Sequence, residues 1–161
     1  MTILGIDPGS RRIGYGLIEK TGQNFTYIEA GLLSIKSKSD ETALQETKES
    51  LQTILKAFQP EICAVEKLYF VRNQTTGIAV GQTRGVIMLT LVEAGIPIKE
   101  FSPNEIKSKI TGHGLSDKKS VEKMVALLLR QKDLRLIDDA WDALAIALSC
   151  GFTISSSLST A

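Results

Sequence analysis

Long apolar runs are missing from this chain. Nothing in it approaches the roughly eighteen consecutive apolar residues that a membrane span needs, and no basic stretch followed by such a run opens it. Neither an anchor nor a secretory leader is therefore expected. Cysteine is scarce as well. Cys63 and Cys150 both lie in apolar surroundings without metal-ligand spacing, as reduced, buried thiols of a cytoplasmic protein do. The single histidine, His113, stands between two glycines and is expected in a loop, with no metal-ligand partner. An excess of either charge is also absent, since 19 Lys and Arg against 18 Asp and Glu leave a net charge of +1. Composition therefore does not announce a nucleic-acid binder, and any such function must come from local patches. No internal repeat or linker divides the chain.

What is there reads as one soluble α/β domain. The 161 residues, 43% hydrophobic and 23% charged, can bury a sizeable core. The domain is expected over residues 1–152, with the Ser-rich 153–161 as a disordered polar tail. Its first element, Ile3-Leu4-Gly5-Ile6, is a short apolar run of the kind buried on both faces of a sheet. It ends in Asp7, and Pro8-Gly9 then turns the chain. Residues 11–20 and 25–35 read as two further strands, making three antiparallel ones. Gly14 and Gly16 on one face of the second leave room for a close neighbour, either a helix or a ligand backbone.

Leu44, Leu51, Ile54, Leu55 and Phe58 have helical spacing, with Asp40 as the expected N-cap and Pro60 as the stop. The apolar run Ile62-Cys63-Ala64-Val65 follows and ends, like the first, in a carboxylate, Glu66. A right-handed crossover would lay it parallel to the first strand. Residues 73–94 read as a long helix carrying Gly77, Gly81 and Gly85 on one face, with the chain's own sheet favoured as their partner over a second subunit. A fifth strand at 96–100 and helices at 103–110, 116–131 and 139–150 complete the pattern.

Asp7 and Glu66 thus end two buried strands. A third acidic group, Asp138-Asp139-Ala140-Trp141-Asp142, lies in a helix whose alanines (Ala140, Ala143, Ala145, Ala147) permit close approach to a sheet. Asp139 and Asp142 share a face, as do Asp138 and Asp142. Four such carboxylates repel one another unless cations sit among them. Hard oxygen ligands suit Mg²⁺ or Mn²⁺, and two ions about 3.5–4 Å apart are a standard arrangement for phosphodiester hydrolysis. Residues 101–135 add candidate phosphate contacts, above all Lys118 and Lys119 in the first turn of a helix, where an anion would also meet free backbone amides. Tyr69-Phe70 and Arg72 follow Glu66, and such aromatics can stack on exposed bases.

These residues resemble the RuvC-type Holliday-junction resolvases of the RNase H-like superfamily. The resemblance rests on Gly5-Ile6-Asp7-Pro8-Gly9 with Gly14-Tyr15-Gly16, Val65-Glu66 before an aromatic, and Gly81-Gln82-Thr83-Arg84-Gly85. It continues through Pro103-Asn104-Glu105-Ile106-Lys107, the Gly112-His113-Gly114 loop before Lys118, and Asp139-Ala140-Trp141-Asp142 with the alanine-rich segment behind it. It implies an RNase H-like five-stranded mixed sheet and a homodimer that cuts four-way DNA junctions by paired, symmetric, Mg²⁺-dependent nicks. It also implies partnership with a branch-migration motor. Metal-ligand roles fall on Asp7, Glu66, Asp139 and Asp142, with Asp139 favoured over Asp138 by the alanines that follow. DNA-contacting roles fall on Tyr69, Lys107 and Lys118. A YqgF-like nuclease of ribosomal RNA processing is similar in its first motif and fold and stands as the alternative.

Overall fold

The computed structural model describes residues 1–68 and 74–158. β1 (Thr2–Asp7), β2 (Gly14–Thr21) and β3 (Asn24–Leu32) form an antiparallel meander. Helix α1 (Asp40–Phe58) then crosses to β4 (Ile62–Glu66), which lies parallel to β1. Helix α2 (Gln74–Glu93) leads to β5 (Ile98–Phe101), parallel to β4. The sheet order is β3-β2-β1-β4-β5, so β1 is the central strand, as its unbroken apolar run requires. Helices α3 (Pro103–Thr111), α4 (Lys118–Leu128) and α5 (Asp138–Leu158) follow.

The sheet separates two cores. Leu4, Ile6, Leu17, Val65, Leu51, Ile87 and Leu91 pack on the face covered by α1 and α2. On the other face Ile3, Ile18 and Ala64 meet α5 through Leu144, Ile146 and Leu148, with α3 and α4 closing the side. All of these α5 residues are at most 1% exposed, each contributing roughly 1.5–3 kcal/mol by burial. α5 reaches this depth because the sheet beneath it is stripped of side chains. A Cβ on Gly5 would strike the carbonyl oxygen of Ala143, one on Gly14 that of Asp139, and one on Gly16 the backbone of Leu144. The close neighbour of these glycines is therefore a helix.

Three expectations are corrected. Ser39 caps α1, its hydroxyl accepting from the Thr42 N–H, while Asp40 enters the first turn and pairs with Arg11 at 2.5 Å. The polar tail does not begin at 153, because α5 stays helical through Leu158. Phe152 stacks edge-on against Phe25, centroids 5.0 Å apart, and Ile154 also packs on the core, so tertiary contact overrides the weak helix propensity of the serines. Gly81 and Gly85 of α2 do not meet the sheet. Ile87, Leu91, Thr83 and Thr90 take the buried side, whereas among the described residues nothing lies within 4 Å of a Cβ on Gly85 and one on Gly81 would meet Leu68.

Candidate active site

Asp7 and Glu66 emerge side by side because β1 and β4 run parallel in the register Ile6↔Val65, one residue before each carboxylate. Across β1 the partner of Asp7 is Gly14, the same glycine on which the backbone of Asp139 rests. One bare position in β2 thus carries the start of α5 over the end of β1. The result is a cleft of about 220 Å³ that Asp7, Glu66 and Asp142 share with Lys107 of α3 and Lys118 of α4, on an apolar floor that includes Ile106, Val121 and Ile146. It falls below the roughly 300–1,000 Å³ of small-molecule pockets and opens to solvent, which suits a backbone group of a long polymer.

The electrostatics follow from this crowding. Burial, reinforced by the charges of Glu66, Asp142 and Asp139, pushes Asp7 up to about 7, against the pull of Lys118. Glu66 is raised for the same reasons, by burial and then by Asp142, with Lys107 opposing. Burial works against the charge on Lys118, but the hydrogen bond and charge of Asp142, together with Asp138, raise its pKa overall.

Within the doublet, Asp139 acts on Asp7 and its side chain is 25% exposed, whereas Asp138 is 72% exposed and lies 3.5 Å from Lys118. Asp139 also receives a 2.5 Å hydrogen bond from Arg12, and Asp142 one of 2.9 Å from Lys118. With these side chains drawn onto cations, no group of three acids among the described residues stands posed around one metal ion. The donor set itself is hard oxygen, open to solvent. That chemistry fits Mg²⁺ or Mn²⁺.

A model of the crossover junction endodeoxyribonuclease RuvC family matches residues 3–150. The chain belongs to this family. RuvC of Thermosipho melanesiensis is 44% identical over 148 residues, covering 91% of this chain and 94% of its own. RuvC of Petrotoga mobilis is 44% identical over 153 residues, covering 94% and 93%. Among solved structures, T. thermophilus RuvC in complex with a Holliday junction substrate superposes with a TM-score of 0.90 at 28% identity, over 98% of this chain and 96% of that one. With RuvC shown as the family, the YqgF alternative is not favoured.

Of the residues expected at the RuvC site, the fold gathers Asp7, Glu66, Asp139, Asp142, Lys107 and Lys118. Lys119, beside Lys118 at the start of α4, is exposed and does not line the cleft. Tyr69 and Arg72 lie outside the described residues. Arg12 was not anticipated. The Arg11-Arg12 doublet after the first turn was the available signal, and its two members part company. Arg11 ties that turn to the start of α1 through Asp40 and the carbonyls of Ser37 and Lys38, while Arg12 reaches Asp139 at the start of α5.

Proposed function

We propose that this cleft is where the protein resolves four-way DNA junctions during recombination and repair, with Asp7, Glu66, Asp139 and Asp142 holding Mg²⁺, two ions per site, or Mn²⁺ in its place. The observation that carries this reading is Asp7 itself, a carboxylate buried at the open end of a central strand among three others. Structural carboxylates are not packed this way, because mutual repulsion costs stability unless a cation is bound. When bound, such cations activate a water for attack and stabilise the leaving oxygen. The chain's own groups do the rest. Asp7 stands between the end of β4 and the start of α5 and would be the central ligand of the four. Lys107 and Lys118, on two helices flanking the cleft, hold the scissile phosphate in line and offset its charge. From the sequence alone, Lys119 and Arg72 are further phosphate contacts and Tyr69 a side chain that stacks on a base.

Incubating the protein in Mg²⁺ with a four-way junction, a linear duplex and a single strand tests this directly. Symmetric nicks confined to the junction are expected. Cleavage of structured RNA, or junction binding without nicks, would overturn it.

Paired nicks need two sites, and α2 offers a surface for a second copy. Ile78, Leu89 and Val92 are 65%, 55% and 65% exposed and form one stripe with the open Gly81 and Gly85, which would let a partner helix approach closely. Leu89→Asp with Val92→Asp should convert a dimer to a monomer in light scattering and reduce paired nicking to single nicks. An unchanged mass would exclude this face. Such a dimer would receive junctions from a branch-migration motor in the cytoplasm. Two buried free cysteines suit that compartment, and among the described residues no helix is long and apolar enough to cross a membrane.

A further inference from the structure

Metal-ligating acids in a nuclease cleft would be expected to converge on a common point, yet here two of the four are turned onto side-chain cations. Asp139 Oδ2 lies 2.5 Å from a guanidinium nitrogen of Arg12, and Asp142 Oδ2 lies 2.9 Å from Lys118 Nζ. Lys118 stands on the cleft wall and has an evident place beside a phosphate. Arg12 is different. It sits on the turn between β1 and β2, its side chain is 64% exposed, and Asp139 is its one hydrogen-bonded or salt-bridged partner among the described residues.

We propose that Arg12 is a displaceable counter-cation, which holds Asp139 while the site is free of metal and which an incoming divalent ion must push aside. This inference rests on the metal-site reading given above. The chemistry is competitive: a carboxylate oxygen engaged by a guanidinium is lost to a metal, because both need the same lone pairs. The exchange is feasible because the pair is half in water, where an ion pair contributes only about 0.2–1 kcal/mol. A buried pair would have locked the site. An exposed one keeps four crowded carboxylates tolerable without metal and gives way when metal arrives. Arg12 is thus a positioning residue that sets metal affinity, not a ligand.

Titration of the full chain with Mn²⁺ alone, followed by electron paramagnetic resonance or calorimetry, tests this without reference to cleavage. Arg12→Gln should bind Mn²⁺ about two- to five-fold more tightly, the factor that an exposed ion pair is worth. Arg12→Lys should return the affinity toward that of the parent. Lys48→Gln removes one positive charge from a pair on the far side of the sheet, with Glu93, and should leave it unchanged. Unchanged or weaker Mn²⁺ binding by Arg12→Gln, or equal tightening by Lys48→Gln, would overturn the proposal. Asp139→Asn separates the two readings. If it weakens Mn²⁺ binding while Arg12→Gln has no effect, the counter-cation role fails and the metal site stands. If it leaves Mn²⁺ binding untouched, both fail.

Discussion

Replacing Asp7 by asparagine is expected to abolish nicking in Mg²⁺, leave junction binding intact, and make the metal-free protein more stable at pH 8. The stability gain is the unusual part. Asp7 titrates at about 7 in the folded chain against an ordinary 3.8, chiefly through burial and then through its acidic neighbours. An acid whose pKa is raised on folding favours the folded state below the unfolded value, and that contribution is lost as pH rises through the folded one. For metal-free protein the loss between pH 4 and pH 8 is on the order of 2–4 kcal/mol. Asparagine carries no charge and escapes it. Melting in EDTA at pH 8 should therefore rise by roughly 4–12 °C for the variant, and the gain should shrink toward zero as pH falls to 4. A variant that keeps nicking activity would remove Asp7 from the site. A melting gain equal at both pH values would show that packing, not charge, is responsible.

The second large effect comes from Gly5, which bears no charge and binds nothing. Gly5→Ala places a methyl group against the backbone of Ala143 and Ala147 in α5, and neither can move independently of its helix. Overpacking usually costs about 1–3 kcal/mol, and a collision with backbone lies at the upper end or beyond, a fall of roughly 6 °C or more in melting temperature. The functional loss should exceed what stability alone predicts. Lifting α5 moves Asp139 and Asp142 away from Asp7 and Glu66, and a displacement near 1 Å can cost about a hundred-fold in rate. Nicking measured well below the melting temperature checks this. Activity within two-fold of the parent would mean that the helix does not set the spacing of the acids.

How much of this was legible beforehand depends on whether the signal is local. β1 and β4 announce themselves because strands buried on both faces must be apolar throughout, so the carboxylate ending each run stands out. The alanines of α5 and the glycines of β2 each read as room for a close neighbour, a helix or a ligand backbone in the case of the glycines, and the fold joins the two in one contact. Periodicity places Gly81 and Gly85 on one face of α2 but cannot say what that face meets, and the sheet took the opposite side. The end of α5 is hard to read because Ser-rich sequence has weak helix propensity, and the packing of Phe152 on Phe25 and of Ile154 on the core emerges only in the fold. Arg12 and Asp139 are 127 positions apart. No local pattern links them, and their pairing depends on how one helix settles over one glycine.

That settling has a kinetic consequence. α5 is at once the spine of the larger core and the carrier of half the acidic cluster, so the amides around Ala143 to Leu148 should exchange with deuterium only when the whole domain opens. The α3–α4 rim, which supplies the lysines, packs on that core along one face of each helix and should open at lower cost. The acids are then expected on the slowest-exchanging unit of the protein and the basic groups on a faster one. A bound DNA strand would be gripped by the part that yields and cut by the part that does not.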